Sequence, residues 1–128
     1  MNKRRGVSRM ATWDLSGTQH HVFICNGGSC MKRGGEEVTQ AVRKAIAEKN
    51  ADSLIHTTRT RCNGRCEDAC VVIAYPQGIW YRGVTPEACP DIIAQLLYEE
   101  EARSPQVSYT YSTEGFVPSE EAVTGVKK

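Results

Sequence analysis

Four of the six cysteines fall into two close pairs, and this arrangement constrains the chain more than any other feature. Cys25 and Cys30 have four residues between them, Cys62 and Cys66 have three, and 31 residues separate the pairs. Glycines accompany each pair, Gly27 and Gly28 in the first and Gly64 in the second. Paired thiols in polar, glycine-bearing loops point to ligation more than to packing, because loop residues carry function more often than core. An even cysteine count also suits a disulfide framework, but that belongs to secreted chains. The basic segment Met1–Arg9 lacks the apolar stretch of a secretory signal. The expected compartment is therefore the reducing cytoplasm, where clustered cysteines bind metal or do redox chemistry.

A length of 128 residues suits one domain, and 40% hydrophobic with 24% charged residues is a globular mix. A net charge of +1 supplies no global field for nucleic acid or an acidic membrane. No apolar run approaches the roughly 20 residues needed to span a bilayer. Neither nucleic acid nor membrane is thus an expected partner. Charge is uneven, with four bases and one acid in residues 1–20, and six acids and three bases in residues 99–128. We therefore expect a flexible basic N-terminal tail over 1–19, a folded domain over 20–101 and an acidic, flexible tail over 102–128. Val107–Tyr111 is long enough to pair briefly as a strand, but Gly115, Pro118 and Gly125 are expected to break anything longer.

Within the domain, His21–Ile24 is a short apolar run that reads as a buried strand. Gly34–Lys49 places Val38, Ala41, Val42, Ala45 and Ile46 at helical spacing. Ser53–Thr60 is rich in β-branched residues and reads as a strand. Arg61–Ala69 reads as polar loop, and Val71–Tyr75 with Ile79–Arg82 as a hairpin around Pro76-Gln-Gly78. A last helix is expected over Pro90–Glu101, with Thr85–Cys89 a separate turn because Pro90 would break a helix begun earlier. The order β-α-β-β-β-α makes a compact α/β sandwich, with about four strands and two main helices.

Two irons bridged as a cluster need about 6 Å between their thiolate pairs, so two separate loops suit them. Gly27, Gly28 and Gly64 would let backbone N–H groups approach the sulfurs and stabilise the reduced state. A Cys₄ zinc site remains open on spacing, since x₄ and x₃ lie at the edge of the knuckle range. A C-x-x-C dithiol is absent, which opposes disulfide exchange of the thioredoxin kind. Buried, unligated thiols fit two polar loops poorly.

The segments His21-Val-Phe-Ile-Cys25, Ser29-Cys30-Met-Lys-Arg-Gly34, Arg61-Cys-Asn-Gly-Arg-Cys66 and Val71-Val-Ile-Ala-Tyr-Pro-Gln-Gly-Ile-Trp-Tyr81 resemble the thioredoxin-like [2Fe-2S] ferredoxins. The resemblance covers about residues 20–98. It implies a thioredoxin-like α/β domain and a [2Fe-2S] cluster held by Cys25, Cys30, Cys62 and Cys66. It also implies a one-electron carrier, not a catalyst on its own, that serves a redox partner protein and forms a homodimer. The spacing is similar, too, to the small cluster subunit of complex I and of NAD-linked hydrogenases, which makes a docked subunit the rival role. A ferredoxin of this sort also occurs among cobalamin-pathway proteins. Two features depart from the stand-alone ferredoxins: the first gap is shorter, and Cys70 stands where the family usually has no cysteine.

Cys70 is expected to be a small buried residue at the start of a strand, and Cys89 a packing or capping residue before Pro90. Lys32, Arg33, Arg61 and Arg65 flank the pairs and would favour a reduced, more negative cluster, while Glu67 and Asp68 oppose them. Trp80 and Tyr81 read as core or dimer-contact aromatics. His20, His21 and His56 lack paired spacing and read as structural. No catalytic or phosphate-loop signature stands out.

Overall fold

The computed structural model describes residues 9–102 and 106–128. Six strands form one sheet in the order β2-β1-β3-β4-β5-β6. These are β1 (His20–Cys25), β2 (Ile55–Thr60), β3 (Val72–Tyr75), β4 (Ile79–Tyr81), β5 (Val107–Ser112) and β6 (Gly115–Pro118). The helices are α1 (Gly28–Lys32), α2 (Gly35–Glu48) and α3 (Cys89–Leu97), with 3₁₀ turns at Cys66–Asp68 and Pro86–Ala88. The chain leaves β1 through α1 and α2 and returns as β2, parallel to β1, whereas all other pairings are antiparallel. A parallel return needs such a crossover, and a helix provides it.

Alternation in β1 buries Val22 and Ile24 and leaves His21 and Phe23 half-buried. Val38, Val42, Ala45 and Ile46 of α2 join Ile92, Ile93 and Leu96 of α3 in one core with them. Burying a side chain of this size contributes about 1.5–3 kcal/mol. Gly34 caps α2 at φ 94, a left-handed conformation that favours glycine, and Glu36 and Glu37 occupy the electropositive first turn.

Several boundaries differ from expectation. The segment after Cys25, read as loop, contains α1. β2 starts at Ile55, because the N–H groups of Leu54 and Ile55 both turn back to the Ala51 carbonyl. α3 runs through Pro90 instead of starting at it, since the first N–H groups of a helix have no internal acceptor to lose. It ends at Leu97, where Glu99 turns left-handed at φ 55 and the Glu100 N–H closes on the Gln95 carbonyl.

The largest correction is at the C-terminal side. The sheet has six strands instead of about four, because residues expected to form a tail supply β5 and β6. β5 pairs with β4 through Ile79↔Thr110, Trp80↔Tyr109 and Tyr81↔Val107. Gly115 turns the hairpin at φ 107, and Pro118 ends an edge strand, where its missing N–H costs no ladder bond. Residues 9–19 form no helix or strand and are mostly exposed, and residues 1–8 of the expected N-terminal tail lie outside the described residues.

Candidate metal centre

Cys25 ends β1, and Cys30 lies on α1; both are buried. Cys62 and Cys66 sit on the loop between β2 and β3, and both are exposed. The four line one small cavity with Gly27, Ser29, Asn63, Arg65 and Val71. The Cys62 and Cys66 sulfurs are 3.6 Å apart. Among the described residues, no three His, Cys, Asp or Glu side chains gather closely enough to hold a single metal ion. The sulfurs are instead disposed as a buried pair facing an exposed pair.

Gly27 sets how closely the two loops approach. A Cβ there would lie 2.7 Å from Cys62 Cα and 2.9 Å from both Cys62 Cβ and N. Gly35 performs a similar service further along, where a Cβ would meet the Cys30 carbonyl oxygen at 3.0 Å.

Backbone N–H groups converge on the sulfurs. The Gly64 N–H donates to Cys62 Sγ at 3.3 Å. Burial pushes the Cys25 thiol up, but bonds from the Gly27 N–H, the Cys30 thiol, and the Asn63 side chain and N–H outweigh it and hold the group below its ordinary value. Cys30 is pushed up to about 12, chiefly by burial and despite the Val71 N–H that faces it. These donors place partial positive charge beside the sulfurs.

Cys70 and Cys89 point elsewhere. Cys70 is buried, and its thiol faces the carbonyl oxygens of Arg33 at 3.2 Å and Cys30 at 3.5 Å. Burial, then the nearby Cys25, pushes it up. Cys89 is fully buried under α2, facing the Val38 and Thr85 carbonyls, and burial raises it to about 12.

Of the flanking charges, Lys32, Arg33 and Arg61 are exposed. Arg65 and Asp68 are not free charges. Arg65 Nε donates to Asp68 Oδ2 at 2.8 Å, and Arg82 Nε to Asp68 Oδ1 at 3.2 Å, with the carboxylate almost wholly buried. Tyr81 is buried with its hydroxyl on Gln95, and Trp80 packs edge-on to Phe116. His21 bonds Thr58 at 2.7 Å, and His20 lies 3.0 Å from Gln77 Nε2. No histidine lines the cysteine cavity. The sequence reading missed Asn63 as a donor and Gly27 as a steric requirement. The Asn63-Gly64 turn dipeptide signalled the first, while the second needed the packing of two distant loops.

The thioredoxin-like [2Fe-2S] ferredoxin family profile matches residues 12–97. A Priestia megaterium protein provisionally described as a 2Fe-2S ferredoxin is 48% identical over 121 residues, covering 93% of this chain and 94% of its own. The solved structure of a thioredoxin-like [2Fe-2S] ferredoxin from Aquifex aeolicus superposes with a TM-score of 0.68 at 31% identity, covering 74% of this chain and 94% of that one. A component chain of an NADH-quinone oxidoreductase from Rhizobium meliloti (strain 1021) is 28% identical over 103 residues, covering 75% of this chain and 37% of its own length.

Proposed function

The chain belongs to the thioredoxin-like [2Fe-2S] ferredoxin family, and from that premise we propose that Cys25, Cys30, Cys62 and Cys66 hold its [2Fe-2S] cluster. The chain is an iron–sulfur electron carrier. The observation that carries the ligand assignment is the shared cavity, lined by these four cysteines, with backbone N–H groups directed at three of the sulfurs. The donor set fits the group. Four soft thiolates brought to one cavity from two loops suit a [2Fe-2S] cluster, which takes two thiolates on each iron.

When bound, the cluster takes up and gives back one electron. The protein's part is to hold and shield. Cys25 and Cys30 anchor the buried side on β1 and α1, and the Gly27, Asn63, Gly64 and Val71 N–H groups stabilise charge on sulfur. The exposed Cys62–Cys66 side is the edge through which we expect a partner to exchange electrons. We assign that partner to the oxidoreductases or biosynthetic enzymes that take electrons singly, and the likeness to a chain of an NADH-quinone oxidoreductase supports the former. The carrier is not a catalyst on its own in this reading, and it works in the cytoplasm. The exposed aromatic edge at Tyr111 and Phe116 supports self-association into a homodimer. No helix among the described residues is long and apolar enough to cross a membrane.

Iron, sulfide and spin counting on dithionite-reduced protein tests the proposal. We expect two irons, two sulfides and one unpaired electron per chain. Stoichiometric zinc, with no spin signal, would overturn it.

A further inference from the structure

We infer that Arg65 and the strap following β6 brace the Cys62–Cys66 loop, which makes Arg65 a positioning residue for the exposed half of the ligand set. The inference rests on the reading of Cys62 and Cys66 as ligands. Those two cysteines lie on an exposed loop, whereas Cys25 and Cys30 are built into a strand and a helix. Gly27 packs against that loop at Cys62, but both cysteines remain exposed, and ligand sulfurs must be held within a few tenths of an ångström.

Arg65, between the two cysteines, engages three groups at once. Its Nε donates to Asp68 Oδ2 at 2.8 Å, its Nη2 donates to the Val123 carbonyl at 2.7 Å, and its guanidinium lies 5.0 Å over the Tyr109 ring. The planar fork of arginine suits divergent acceptors of this kind, and stacking on an aromatic face holds its plane. Each of these groups is itself anchored. Asp68 is held by Arg82, and its carbonyl accepts the Gly83 N–H at 2.8 Å. Tyr109 lies on β5, paired with Trp80. The strap is rooted where the Ser119 N–H donates to the Ser108 carbonyl at 2.8 Å and the Ser119 hydroxyl to the Val107 carbonyl at 2.6 Å. A turn closed by the Ala122 N–H on the Ser119 carbonyl then presents Val123 to Arg65. At Gly125, a Cβ would lie 3.2 Å from Arg65 Nη1, so the strap passes close against the guanidinium.

β5, β6 and the strap all lie beyond residue 97, where the family profile match ends. The Tyr109 and Val123 side of the brace is therefore an addition to the matched domain. It steadies the exposed cysteines from the side and leaves them exposed.

The test uses full-length, cluster-loaded protein carrying Arg65→Gln or Arg65→Lys. Lysine keeps the charge but lacks the fork, so one ammonium must choose between Asp68 and Val123. In both variants we expect amide hydrogen exchange at residues 122–125 and 63–66 to speed by at least about tenfold, as loss of a charge-assisted bond implies. We also expect iron release to an external chelator to speed. Wild-type exchange and release in either folded variant would overturn the brace. So would faster exchange in the strap with unchanged iron release, since contact without positioning is then all that remains. If Arg65→Gln does not fold, Arg65→Lys decides alone. The exchange arm needs no assumption about ligands, so failure of the brace and failure of the ligand assignment are read separately.

Discussion

Replacing Gly27 with alanine should empty the site without unfolding the domain. At φ −69 and ψ 174 the backbone there is extended and open to any residue, so the effect is purely steric. The added carbon would sit 2.7 Å from Cys62 Cα, and 3.4 Å is where ordinary contact begins, which requires the two loops to part by 3.4 − 2.7, or about 0.7 Å. The obstacle is backbone and a Cβ, not the tip of a flexible side chain. Metal–ligand distances tolerate about 0.2 Å, so the displacement exceeds what a cluster spanning both loops can absorb. Overpacking of this kind costs about 1–3 kcal/mol, which leaves the fold standing. The neighbouring Gly28 has open space where its Cβ would go, so Gly28→Ala is the matched control. Iron and sulfide per chain, with far-ultraviolet circular dichroism for the fold, form the assay. We expect less than about half the wild-type iron in Gly27→Ala, unchanged dichroism, and full iron in Gly28→Ala. Full iron and an unaltered visible spectrum in Gly27→Ala would refute the reasoning.

Asp68→Asn removes the buried charge shared by Arg65 and Arg82 and should cost about 3 kcal/mol in chemical denaturation, as broken buried pairs do; an effect near zero would show that the pairs contribute no net stability. Cys70→Ala should keep the cluster and its spin signal while losing about 1 kcal/mol of stability, because the thiol faces the Arg33 and Cys30 carbonyls and not the cavity. Deleting residues 104–128, which contain no cysteine, should lower stability by at least about 2 kcal/mol, since it exposes the β4 edge and removes the buried Val107. Unchanged denaturation of the shortened chain would show that β5 and β6 contribute nothing to the fold.

The central elements were legible because their patterns are local. The 3.6-residue stripe of α2, the alternation of β1 and the turn at Gly78 each announce themselves within a few residues. The two cysteine pairs were legible from spacing, and the structure brings all four to one cavity. What escaped depends on distant parts of the chain. Gly115 and Pro118 read as breakers, yet one is the hairpin turn and the other ends an edge strand, a distinction that exists only once β4 is there to pair with β5. Gly78 shows the same dependence, since a Cβ there would come 2.5 Å from Tyr111 Cβ on β5. Arg65 and Asp68, three residues apart, read as loop charges; what joins them into one network is Arg82 and Val123, which lie 14 and 58 residues away from them.

The most direct measurement is the visible spectrum of six single variants, purified as full-length chains: serine at Cys25, Cys30, Cys62, Cys66 and Cys89, and alanine at Cys70. Oxygen is a harder and poorer ligand than thiolate for this iron, so each of the first four should lose or shift the charge-transfer bands. Cys89→Ser and Cys70→Ala should leave them unchanged. A wild-type spectrum from any of the first four, or bleaching by Cys70→Ala or Cys89→Ser, would contradict the ligand assignment.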